Sequence, residues 1–130
     1  MRAFVDTNVI VRHLTQDPPD QGQRATAFLF GAEQLRLADV VVAETVYVLQ
    51  SVYGASRADV AQGVRATVEF PAIELENRAR LLRALDVYER DRIDFADAYL
   101  VALAEASAIT QIASFDRSLD GVQSVTRVEP

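Results

Sequence analysis

Four carboxylates stand where this chain leaves or flanks a sheet: Asp6, Glu44, Asp97 and Asp116. Asp6 ends the run Ala3-Phe4-Val5, and Glu44 sits between Val40-Val41-Val42-Ala43 and Val46-Tyr47-Val48-Leu49. Asp97 precedes the apolar residues 98–104, and Asp116 follows Ile112-Ala113-Ser114-Phe115. Carboxylates are seldom buried unless they are paired or bind a metal. Two unit like charges about 4 Å apart repel by roughly 4 kcal/mol at an effective dielectric near 20. If the fold gathers these four, protonation or a divalent cation must offset that repulsion. Carboxylate and water oxygens suit Mg²⁺ or Mn²⁺. An open site of that kind activates water and clamps phosphate oxygens. The absence of Cys and the single His argue against zinc.

Each acid also has a purely structural reading. Asp6, between a strand and a helix, is a natural N-cap, with Asn8 offering a second oxygen two residues on. Glu44 has Val41, Tyr47 and Val48 one helical turn away and fits the margin of a buried helix. Asp97 lies one turn after Asp94, where the helix dipole favours anions despite their mutual repulsion. Asp116 again has the character of a cap, and Asp120 beside Gly121 reads as a turn residue. Arg12, Arg92 and Arg117 are candidates for holding a phosphate, and salt bridges to neighbouring acids are an equal alternative. His13 reads as structural or solvent-facing.

The elements that must position these groups alternate. Strands are expected at residues 2–6, 35–38, 71–75, 110–114 and 122–128. Helices are expected around 9–14, 19–31, 40–53, 56–69, 76–91 and 95–106. Residues 42, 46, 49 and 53 recur at helical spacing, which outweighs the β-branched character of that segment. In the next-to-last helix, Ala79, Leu82, Leu85 and Tyr88 are expected inward, and Asp94 is expected to cap the last one. Such alternation predicts one α/β domain over 1–130, with a central parallel sheet of four to five strands. Sites in such sheets form beyond the carboxyl ends of the strands, where Asp6 and Asp116 fall.

Composition narrows the chemistry. The chain has 130 residues, a net charge of −6, thirteen Arg and no Lys, and a pI near 4.7. Bulk basicity therefore does not drive nucleic-acid binding, although a rim of Arg can still hold phosphates. Lys-dependent chemistry, including Walker A loops and Schiff bases, is excluded. A phosphatase with Asp6 as nucleophile would want Asp-x-Asp and a Lys; the chain has Asp6-Thr7-Asn8. No signal peptide or membrane span is expected, and the lack of cysteine fits the cytoplasm.

Phe4-Val5-Asp6-Thr7-Asn8-Val9, Val42-Ala43-Glu44-Thr45, Asp94-Phe95-Ala96-Asp97-Ala98 and Ser114-Phe115-Asp116, in that order, resemble the PIN-domain ribonucleases. The likeness is strongest to the VapC-type toxins of toxin–antitoxin pairs. By position, Asp6, Glu44, Asp97 and Asp116 match that family's metal-binding acids. Asp94 matches an acid common among the toxins, and Asn8 and Ser114 match supporting polar residues. Ser114 replaces a frequent Thr, and Ala106-Ser107-Ala108 stands where a Gly is frequent. The resemblance implies an α/β/α sandwich and Mg²⁺- or Mn²⁺-dependent RNA cleavage by an activated water, leaving a 5′-phosphate and a 3′-hydroxyl. It also implies a homodimer and an inhibitory antitoxin, for which the apolar surface around 46–53 and 60–70 is the expected contact. A stand-alone RNA-processing PIN nuclease and a non-catalytic PIN-like binding module are the alternatives.

Overall fold

Parallel strands cannot be joined by tight turns, so each return requires a crossover. The computed structural model, which describes residues 2–130, supplies these crossovers as helices. It forms two compact units, Met1–Glu76 and Asn77–Pro130.

The first unit runs β1 (Arg2–Phe4), α1 (Thr7–Thr15), α2 (Pro19–Gly31), β2 (Gln34–Arg36), α3 (Asp39–Ser51), α4 (Arg57–Val68) and β3 (Ile73–Glu74). Its sheet has the order β1-β2-β3, all parallel, with Ala3 opposite Leu35 and Leu35 opposite Ile73. The Val5 N–H continues the ladder to the Arg36 carbonyl at 3.0 Å, so the chain is still tied to the sheet one residue before Asp6. Leu29, Leu35, Val42, Val46, Val60 and Val68 fill the core; each such burial stabilises by about 1.5–3 kcal/mol. Helix α3 forms although it is rich in valine, because Val42, Val46 and Leu49 line up on one buried stripe with Thr45. Tyr53, expected on that stripe, lies beyond the helix and is exposed. The turn between α1 and α2 needs Gly22: a Cβ there would sit 2.6 Å from the Gln16 Cα.

The second unit runs α5 (Arg78–Arg90), α6 (Phe95–Ser107), β4 (Gln111–Ala113), a 3-10 helix (Arg117–Gly121) and β5 (Thr126–Val128). Asn77 Oδ1 caps α5 by accepting from the Arg80 N–H at 3.0 Å. Leu81, Ala84, Leu85 and Tyr88 of α5 are buried, as are Ala98, Val101 and Ala102 of α6. The inward face of α5 is thus 81, 84, 85 and 88, whereas Ala79 is exposed and Leu82 half-buried. Strands β4 and β5 pair in parallel, Ile112 opposite Arg127.

The mixed α/β class is as expected, but the sheet is not. It has three strands rather than four to five, and β4 and β5 make a separate two-stranded sheet. The strands are two or three residues long, too short for sequence to declare their partners. The last strand is also shorter than expected. The Val122 N–H closes the 3-10 helix onto the Leu119 carbonyl at 3.1 Å, so pairing begins only at Thr126.

Candidate metal centre

The first unit supplies two of the four acids. Asp6 is the N-cap of α1, its Oδ1 accepting from the Thr7 N–H at 2.8 Å. That bond uses one carboxylate oxygen and leaves Oδ2 for another ligand. Glu44 projects from the exposed side of α3 because its neighbours Val42, Thr45 and Val46 take the buried side. Asp6 and Glu44 line one cavity of about 260 Å³ together with Thr7, Asn8, Arg12 and Tyr53. Thr7 is buried, and its Oγ1 has no hydrogen-bond partner among the described residues. Burying a hydroxyl without a partner is costly, so an oxygen donor stands ready beside Asp6. Arg12 is half-buried, and its Nε donates to Gln21 Oε1.

The second unit supplies the other two, with Asp94 beside them. Asp97 lies in the first turn of α6, and Asp116 caps the 3-10 helix, its Oδ1 accepting from the Ser118 N–H at 2.9 Å. The Asp116 N–H donates to Ser114 Oγ at 2.9 Å, so Ser114 fixes the turn that aims Asp116. Burial raises the Asp97 pKa, and the charges of Asp116 and Asp94 and a hydrogen bond with Asp116 push it further up. The Asp116 pKa is lowered, first by the Ser118 backbone N–H and hydroxyl, then by its bond with Asp97 and the charge of Arg127. Of the two carboxyls, Asp97 is therefore the one whose charged form is disfavoured and Asp116 the one whose charged form is favoured. Asp94 occupies the N-cap position of α6 but makes no side-chain capping bond, contrary to the expected cap.

The structure thus brings Asp6, Asn8, Arg12 and Glu44 together in one unit, and Asp94, Asp97 and Asp116 in the other. Arg92, left-handed at φ 56° in the connector before α6, and Arg117 are not among the charges acting on Asp97 or Asp116. Sequence reasoning missed Arg127. This arginine donates to the Ser114 carbonyl at 3.0 Å and pairs with Asp120 at 2.9 Å and Glu129 at 3.1 Å. It braces the Ser114–Asp116 turn from the neighbouring strand. The available signal was alternation: Arg127 lies between Thr126 and Val128 and so faces the other side of β5.

Among the described residues, no three His, Cys, Asp or Glu side chains are already grouped to hold a metal. The donor chemistry nevertheless fits a hard divalent ion: all-oxygen side chains, an unpartnered Thr7 hydroxyl, and an acid pair in which the Asp97 anion is disfavoured by burial and by its acidic neighbours. The one histidine is engaged elsewhere, its Nδ1 2.7 Å from Thr26 Oγ1. Residues 3–124 match the PIN domain family.

The chain belongs to the PIN-domain family. No curated protein matches it. PIN domains are generally metal-dependent nucleases, so the two acid groups belong to a nuclease fold. The match spans both compact units of this PIN domain. None of its described helices is long and apolar enough to cross a membrane.

Proposed function

We propose that the chain is a Mg²⁺- or Mn²⁺-dependent endoribonuclease and the toxin of a toxin–antitoxin pair. In this reading it is a single cytoplasmic domain that forms a homodimer and is restrained by a cognate antitoxin. The observation that carries the catalytic part is the Asp97–Asp116 pair, where burial and neighbouring acids disfavour the Asp97 anion, a penalty that a bound cation would offset. RNA as substrate and the toxin role rest on the likeness of the four motifs, Asp6-Thr7-Asn8 through Ser114-Phe115-Asp116, to VapC-type toxins.

Asp6, Glu44, Asp97 and Asp116 would hold the ion. When bound, it supplies positive charge that acidifies a water and neutralises phosphate oxygens. Because the Asp97 pKa is raised, a bound cation would compete with its proton, and binding would strengthen as pH rises. Asp6 is tied to the Thr7 N–H by Oδ1, which would leave its other oxygen for the ion, and Ser114 holds the Asp116 turn. Asn8, Thr7 and Arg12 present hydrogen-bonding groups in the same cavity as Asp6 and Glu44, and Arg12 has N–H groups beyond the one given to Gln21 for a phosphate oxygen. Hydrolysis leaves a 5′-phosphate and a 3′-hydroxyl.

Controlled expression in a bacterial host tests the toxin role. The wild-type chain should arrest growth with loss of specific RNA molecules, and Asp97→Asn should not. Co-expression of the product of an adjacent small gene should restore growth. Metal-dependent cleavage in vitro without growth arrest would instead favour a stand-alone RNA-processing nuclease.

A further inference from the structure

Beside the Asp6–Glu44 cavity lies a second and larger one of about 550 Å³, between α1 and α2. Its polar and aromatic wall is made by Asn8 and Arg12 of α1 and by Gln21, Arg24 and Phe28 of α2. The two cavities share Asn8 and Arg12 and so adjoin there. The chain carries nineteen acids against thirteen arginines, yet none of the residues lining this groove is acidic. Arg24 is exposed and makes no ion pair among the described residues, and Arg12 bonds a neutral amide. Two positive charges therefore line a groove that has no carboxylate of its own, Arg12 also bordering the cavity of Asp6 and Glu44. Phe28 is 39% exposed while its neighbour Leu29 is fully buried. A phenyl ring left on the rim of a cationic groove costs apolar exposure that a stacked base would recover.

We propose that this groove is a nucleotide subsite for single-stranded RNA, with Arg24 and Arg12 on the phosphates and Phe28 under a base. The proposal rests on the nuclease reading and deepens it by naming where the strand lies next to the scissile bond. It also gives an acidic protein a way to hold nucleic acid: a local cationic strip rather than overall charge. Asn8 and Gln21 supply amide groups for a base edge or ribose, while stacking on Phe28 tolerates any base. A duplex cannot use the subsite, because its bases are not free to stack on a side chain.

The test is fluorescence polarisation with a labelled single-stranded RNA of mixed sequence, in EDTA so that nothing is cut, across a salt series. Arg24→Glu should weaken binding and flatten the dependence of log K on log salt by about 0.7 for the lost phosphate contact. Phe28→Ala should weaken binding about fivefold or more, and the same RNA annealed to its complement should bind poorly to every variant. Phe30→Ala removes an exposed phenyl of α2 that does not line the groove and should leave binding unchanged. Thermal melts check each fold, and the exposed Arg24→Glu keeps the test decisive if Phe28→Ala unfolds. Wild-type affinity retained by folded Arg24→Glu and Phe28→Ala would overturn the subsite, and intact Mn²⁺-dependent cleavage in those proteins would show that the nuclease reading survives. A salt effect at Arg24 with none at Phe28, or equal binding of duplex, would overturn it as well. A wild-type chain that neither binds nor cuts single-stranded RNA would overturn both readings together.

Discussion

The two acid groups are built by different physics. In the first unit, Asp6 and Glu44 come from separate elements and meet at a shared cavity; Asp6 is tied to a backbone N–H and Glu44 is presented by the apolar stripe beneath it. In the second unit, Asp97 and Asp116 act directly on one another, one raised and one lowered. The first group is placed by secondary structure. In the second, burial and then the charges of Asp116 and Asp94 disfavour the anion of Asp97.

The largest effects probe the units themselves. Leu35 and Leu81 are fully buried, one in each unit. Leu35→Ala and Leu81→Ala should each cost about 2–5 kcal/mol in urea unfolding. If the chain is one domain, both should lower the midpoint of a single transition followed by far-UV ellipticity. Two separated transitions, each moved by only one substitution, would divide it.

Metal loading comes next. Mn²⁺ at about 100 times its Kd should stabilise the wild type by about 2.7 kcal/mol, read as a rise in Tm, and Asp97→Asn should abolish that rise. Without metal the sign reverses. Because the folded pKa of Asp97 is raised above 3.8, its stability contribution is complete below that value and is lost as pH rises through the folded pKa. Above that window the metal-free Asp97→Asn protein should melt higher than the wild type, and below it the two should converge. A wild type that melts higher throughout would dissolve the contrast between the halves.

Gly22→Ala probes the first unit alone. The added methyl meets the Gln16 backbone, and the forced shift of the α1–α2 turn should cost about 1–3 kcal/mol. The smallest effect belongs to the second unit. Arg83 holds Glu105 through bonds of 2.7 and 2.9 Å, which lower the Glu105 pKa below its ordinary 4.5. Both side chains are partly exposed, so the pair contributes only about 0.2–1 kcal/mol. The gap between wild type and Glu105→Gln should be present above pH 4.5 and close as pH falls through the lowered folded value. Chemical denaturation at several pH values reads it.

The sequence was legible where period and chemistry agree. The valine-rich α3 was readable from Val42, Val46 and Leu49, and the helix expected from residue 56 is capped by Ser56, which accepts from the Asp59 N–H at 3.1 Å. Strand partners were not legible, because strands of two or three residues carry no record of which neighbour they pair with. The α5 face was misjudged because Ala84 and Val87 compete with Leu82 for the stripe, and small residues leave a weak signal. Among the site residues, the capping and catalytic readings of Asp6 and Asp116 proved compatible: a carboxylate has two oxygens, and the cap takes one. The Asp97–Asp116 coupling required the fold, since nineteen residues separate the two in sequence. Arg127 was hidden for the same reason, its partners Ser114 and Asp120 lying on other elements.

The central claim is that both acid groups serve one metal-dependent nuclease. Its most direct test is cleavage of a structured RNA pool by the purified, partner-free chain with Mn²⁺, Mg²⁺ or EDTA, beside Glu44→Gln from the first unit and Asp97→Asn from the second. The account predicts cutting with either metal, none in EDTA, and a loss of at least about 100-fold in each variant, in line with removal of a group that stabilises charge at the reacting centre. Full activity in folded Glu44→Gln or Asp97→Asn, or cutting that persists in EDTA, would contradict it.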